Sequence, residues 1–224
     1  MATAVQATRT PRVLPIVGGH LALDFANTVD DPEGPERYDH AGTYPELVAW
    51  SARIGIVRPD QAEVLVTAAQ KHPRAGSAAL ERAHLLRDIL IETFTEVAAI
   101  ASGRSAATEG STPAARWEEL RPYVADAMAH AELAWKGSTY QLRWADITRL
   151  DAMLWPVGLA AGDLITSTQL SRVKKCAGCP WLFLDQSKNL SRRWCAMNDC
   201  GTHEKIRRYV TRRAAARRQS IKAG

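Results

Sequence analysis

The sequence predicts a mainly α fold of the α+β kind: a helical N-terminal domain with one β-hairpin, then a small four-cysteine module ending in a basic helix. Three observations carry this expectation. Apolar residues recur at steps of three and four through most of the first 170 residues. The period changes once to strict alternation, from Leu133 to Trp144. All four cysteines lie between Cys176 and Cys200. The spacing places the domains at 1–170 and 171–224.

In "GGHLALDFANTVD" Leu21, Phe25 and Thr28 share one side of a short helix and His20, Asp24 and Asn27 another. The acidic, Pro- and Gly-rich stretch "DDPEGPERYDHAGTY" from Asp30 reads as a loop. Thr43 reads as the N-cap of a helix carrying Leu47, Trp50 and Ile54, with Pro45 and Glu46 in its first turn. Pro59 and Asp60 open a helix to Gln70. Ala79, Ala83, Leu86, Leu90, Phe94, Val97 and Ala101 trace a long core helix. After the loop "SGRSAATEGSTP", Trp117, Leu120, Val124 and Met128 mark another helix. Leu133, Trp135, Tyr140, Leu142 and Trp144 alternate across Lys136–Ser138 as a hairpin. Ile147, Leu150, Leu154, Ala161, Leu164 and Thr168 return to helical spacing, with Pro156 expected to kink or divide that helix.

Composition excludes several classes. No apolar run is long enough to span a bilayer, and the N-terminus lacks the basic-then-apolar pattern of a secretory signal. A cytoplasmic protein with no membrane partner is expected. No G-x-S-x-G, H-E-x-x-H or Gly-rich phosphate loop is present, so the sequence offers no catalytic set, and we expect no enzyme.

The cysteines are spaced C-x2-C-x15-C-x4-C. Two close pairs of thiolates match a tetrahedral structural zinc site, with Cys176, Cys179, Cys195 and Cys200 as ligands and Zn2+ as cofactor. A thioredoxin-like redox pair would sit in a strand–helix setting that is missing here. Four thiolates leave no open coordination position for catalysis. Asp185, Ser187 and Asn189 read as the turn of a hairpin between the pairs. The helix after Cys200 has only Ile206 and Val210 as a narrow apolar face, and a treble-clef-like module results.

Charge is divided unequally. From Ser171 onward there are 14 Lys and Arg and 3 acids, a net +11; the preceding 15 bases and 21 acids give −6. Such asymmetry points to an anionic partner, nucleic acid first. The candidate contacts are Lys174, Lys175, Arg192, Arg193, His203, Lys205, Arg207, Arg208 and Arg212. A solvated basic tail is the competing reading, best beyond Ala214.

The order C-x2-C, then "WLFLDQSKNLSRRWCAMNDCG", then a basic helix resembles the CGNR zinc finger, a bacterial DNA-binding module. "GGHLALDFANTVD" and the helical body resemble the ABATE domain that precedes it. The resemblance implies a stress-related transcription regulator whose N-terminal domain senses a small-molecule effector while the zinc module binds DNA. It also implies the four cysteines as zinc ligands and Arg192, Arg193, Lys205, Arg207 and Arg208 as matches to the family's basic positions. The chain departs from the family at Thr202 and His203, which stand where the family has asparagine and arginine. Structured RNA as the target, or a purely structural zinc module on a small-molecule-binding or enzymatic body, are the alternatives.

His20, Asp24 and Asn27 are candidates for a ligand pocket, although such residues more often bond neighbouring loops and caps. Trp135, Tyr140 and Trp144 are expected in the core, with a pocket or a homodimer contact as the other readings. His40, His72, His84 and His130 have no partner at metal-ligand spacing. As a ligand His203 is unneeded, because four sulfurs complete the tetrahedron.

Overall fold

The computed structural model describes residues 14–30, 37–106, 112–145 and 147–222. Seven helices and three short antiparallel strand pairs are seen among them. In chain order these are α1 (Leu21–Ala26), β1 (Val29–Asp30), β2 (Tyr38–Asp39), α2 (Tyr44–Arg53), α3 (Pro59–Lys71), α4 (Pro73–Ala101) and α5 (Thr112–Ala129). There follow β3 (Glu132–Lys136), β4 (Thr139–Arg143), α6 (Leu154–Thr166), β5 (Val173–Lys175), β6 (Leu182–Leu184) and α7 (Thr202–Lys222).

Local signals set several boundaries. Thr43 caps α2 through a capping box: its Oγ1 accepts the Glu46 N–H at 3.4 Å, and the Glu46 carboxylate accepts the Thr43 N–H at 2.9 Å. Prolines open α3 and α4, where a missing N–H forfeits no helical hydrogen bond. Pro156 neither kinks nor divides its helix. It lies in the first turn of α6, which starts at Leu154 rather than near Ile147, because the first-turn N–H groups have no intrahelical partner to lose. The expected loop after Asp30 also contains β2, paired with β1; its residues 31–36 lie outside the described residues.

Helix α4 is the axis of the fold. Ala79, Ala83, Leu86, Leu90, Phe94 and Val97 are buried along it, and α1, α2, α3, α5 and β5 pack around it. One buried ion pair had no signal in the sequence. Arg87, 1% exposed, donates both Nη groups to Asp39 at 2.6 Å and ties β2 to α4. Burial alone would raise the Asp39 pKa, but the Arg87 guanidinium outweighs it and holds the carboxyl below its usual range.

The β3–β4 hairpin forms as the alternation predicts, with Trp135 opposite Tyr140 and Leu133 opposite Leu142. Its placement corrects the core reading. Trp135 and Tyr140 are exposed, and only Trp144, beyond the strand, packs on the core and donates Nε1–H to the Ala127 carbonyl at 2.8 Å. Alternation marks an apolar face but not what covers it.

The C-terminal module shares the main core. Val173, Leu182 and Leu184 belong to the same buried cluster as α1, α4 and α6, while Phe183, pointing the other way, packs among Cys176 and Cys195. Alternation along β6 thus serves two cores at once.

Candidate metal centre and nucleic-acid surface

The hairpin of the module sits elsewhere than expected. β5 and β6 pair through Val173↔Leu184 and Lys175↔Leu182, so the hairpin encloses the Cys176–Cys179 knuckle, not the Asp185–Asn189 stretch. The reason is burial. Asp185 is fully buried and works as a hub: it accepts the Lys174 Nζ at 2.6 Å, the Ser187 Oγ at 2.6 Å, the Ser187 N–H at 2.9 Å and the Arg192 N–H at 3.1 Å. Burial pushes its pKa up, but Lys174 and Ser187 outweigh that and hold it at about 2.

The second cysteine pair arrives on a different element. After Cys195 the chain makes a π-helical turn over Met197–Gly201 that holds Cys200 and runs directly into α7. Ala177 N–H donates to the Arg193 carbonyl at 2.9 Å and Cys176 N–H to the Trp181 carbonyl at 2.8 Å, which draw knuckle and return strand together.

The four Sγ atoms lie within 4.8 Å of one another, and none is in a disulfide. Cys179 and Cys195 are 3.5 Å apart and Cys195 and Cys200 3.7 Å, close to the edge of about 3.8 Å that four Zn–S bonds of about 2.3 Å subtend in a tetrahedron. Cys176 Sγ accepts N–H donors from Gly178 at 3.4 Å and Cys195 at 3.3 Å, the support a bound thiolate needs. Thiol donors at Cys179 and Cys195 push the Cys176 pKa down, and that same hydrogen bonding pushes Cys179 and Cys195 up; burial raises Cys200. Four cysteine sulfurs at tetrahedral spacing with N–H support are the donor set of a structural zinc site, so the residues present fit zinc. His203 stands outside the cluster, 75% exposed, with Nδ1 3.7 Å from the Asp199 carboxylate.

The basic candidates divide into two groups. Lys174 is committed to Asp185 and to the Leu190 and Arg192 carbonyls. Arg192 donates Nε–H to the Trp194 carbonyl at 2.9 Å, bonds the Cys195 carbonyl and lies over the Phe183 ring at 4.6 Å. Both cations therefore buttress the module from within. Lys175, Arg193, Lys205 and Arg212 are exposed, and Arg207, also exposed, pairs with Glu204 at 2.6 Å. Arg208 lies on α7, but its side chain is outside the described residues. Sequence reasoning passed over Tyr209, which is exposed with Arg213 above its ring at 5.6 Å; the i, i+4 spacing was its only signal.

His20, Asp24 and Asn27 come together on α1 but serve the chain itself. His20 caps α1, its Nδ1 accepting the Ala22 N–H at 3.4 Å. Asp24 accepts the Gly18 N–H at 2.7 Å; burial raises its pKa and that N–H opposes the rise. Asn27 donates Nδ2–H to the Leu182 carbonyl at 2.8 Å and accepts the Leu182 N–H at 2.9 Å, so one side chain pairs with β6 as a strand would. Leu184 N–H to the Gly18 carbonyl at 2.7 Å and Trp181 Nε1–H to the Val29 carbonyl at 3.2 Å complete the joint. Replacing Asn27 with alanine leaves two buried backbone groups unpaired, at about 1–3 kcal/mol each. Chemical denaturation of that variant is expected to show a loss of roughly 2–4 kcal/mol; a change within error would mean the joint holds no energy.

Residues 19–168 match the family model ABATE, described as "Putative stress-induced transcription regulator", well over half of the chain. The chain belongs to the ABATE family. Residues 172–213 match the CGNR zinc finger, so the match covers the cysteine cluster and the first part of α7 behind the ABATE body. No curated protein matches the chain. The two matches meet between α6 and β5, while the buried core runs on from the ABATE helices into β5 and β6.

Proposed function

We propose that this ABATE protein is a zinc-dependent DNA-binding regulator, a binding protein and not an enzyme, acting in the cytoplasm. One observation carries the reading: α7 leaves the four-thiolate centre with Lys205, Arg207 and Arg212 exposed, and Lys175 and Arg193 add to the surface from the knuckle side. Zinc fixes the first turn of α7; the cations line phosphates, and arginine forks supply charge-assisted, often bidentate contacts. No helix among the described residues is long and apolar enough to cross a membrane. Effector control through His20, Asp24 and Asn27 is not part of the proposal, since His20 caps α1, Asp24 holds the Gly18 N–H and Asn27 pairs with Leu182 of β6.

Salt-dependent gel shifts on duplex DNA, single strands and structured RNA test it. Duplex DNA should bind tightest, with a log–log salt slope of about −0.9 per phosphate neutralised, so roughly −4 for four or five phosphates. Tighter binding to structured RNA would move the assignment to RNA, and no binding at low salt would end it.

His203 is where the chain departs from the arginine of the related fingers, and its exposed ring sits at the start of α7. Replacing it with arginine is expected to tighten duplex binding several-fold, because guanidinium brings a permanent charge and a bidentate fork that imidazole lacks. Zinc loss in that variant would instead assign the histidine to the metal.

A further inference from the structure

The β3–β4 hairpin carries an apolar face that nothing among the described residues covers. Leu133 and Trp135 stand opposite Leu142 and Tyr140, so all four share a side of the sheet. Leu133 is 69% exposed, Trp135 62% and Tyr140 63%, with the two rings edge to face at 5.0 Å. The sheet has two strands, and an isolated hairpin is marginal in water until another layer packs on it. Its base is nevertheless held firmly. Trp144 bonds the Ala127 carbonyl, and Arg149, just beyond it, pairs with Asp126 and Asp151 at 3.5 and 3.0 Å.

We infer that this face is an interface between two copies of the chain, packed hairpin on hairpin about a two-fold axis. Area and charge select a second copy. Aromatic side chains carry about 150–250 Å² each, so at these exposures Leu133, Trp135 and Tyr140 leave roughly 350 Å² of apolar surface per copy. With a polar rim in the usual proportion, two copies bury roughly 1,300 Å² in total, within the range of a specific dimer. As to charge, Glu132, Lys136 and Arg143 occupy the alternate positions on the opposite face, with Glu132 and Arg143 paired at 3.5 Å. Two like faces therefore meet with no like-charge contact, and the face bears no charge to select an unlike partner. The inference stands apart from the nucleic-acid reading.

The test is the mass of the zinc-loaded, full-length chain by light scattering over about 1–100 µM, the range in which a modest apolar interface dissociates. The mass should rise to twice 24.6 kDa. The double variant Trp135→Ser, Tyr140→Ser should stay at 24.6 kDa with unchanged circular dichroism and zinc content, because neither side chain is in the core. Leu133→Lys, also exposed, should do the same and serves if the double variant folds poorly. A wild-type monomer across the range overturns the inference, as does a dimer that survives these substitutions. A dimer abolished only by Ile206→Lys would place the interface on the exposed apolar row of α7 and overturn it equally.

Discussion

Replacing Cys195 with serine is expected to release the metal and to lower the melting temperature of the whole chain, not of the C-terminal module alone. Cys195 is the most central ligand: its sulfur neighbours those of Cys179 and Cys200, and its N–H donates to Cys176. A hydroxyl replaces the thiolate poorly, and binding free energy at a structural zinc site is folding free energy. Once the knuckle opens, β5 and β6 lose their tether and Val173, Leu182 and Leu184 leave the shared core. At about 1.5–3 kcal/mol for each buried aliphatic side chain, offset in part by regained chain entropy, the net loss is roughly 4–6 kcal/mol. For a chain of this size that lowers the melting temperature by roughly 10–20 °C. Calorimetry with metal analysis reads both effects. A metal-free variant melting at the wild-type temperature would show that the module and the ABATE body are energetically separate.

The second large effect concerns binding. Changing Lys175, Arg193, Lys205 and Arg212 together to alanine removes four exposed cations. Duplex affinity should fall by roughly 10²–10³ at moderate salt, and the salt slope should shrink by up to about 3.6, or about 0.9 for each phosphate no longer neutralised. Lys174→Ala and Arg192→Ala should behave differently: they weaken stability first, because those side chains hold Asp185 and the Cys195 carbonyl. Melting curves beside binding curves separate the two groups. An unchanged salt slope in the quadruple variant would place the nucleic-acid surface elsewhere.

What could be read from the sequence was local. The Thr43 cap of α2, the proline start of α3 and the two close cysteine pairs are each decided within a few residues, and each appears as read. What could not be read depended on distant partners. Asn27 and Leu182 are 155 residues apart, so helical spacing placed Asn27 on the right face of α1 but gave no hint that β6 would claim its amide. Asp185 has the composition of a turn former, yet its four donors bury it, and the hairpin moved to the knuckle side. Charge counting marked Lys174 and Arg192 as cations without showing that both are engaged internally. Alternation marked Trp135 and Tyr140 as strand residues without showing that their side faces water.

If zinc shapes the basic surface that binds DNA, affinity must follow the metal. Fluorescence anisotropy of a labelled duplex, titrated with the full-length chain first zinc-loaded and then stripped by a chelator, reads this at one fixed salt concentration. The stripped protein, with α7 no longer fixed to the knuckle, is expected to lose most of its affinity and to recover it when zinc is restored. Equal affinity with and without the metal, at full occupancy in the loaded sample, would contradict a zinc-dependent DNA surface.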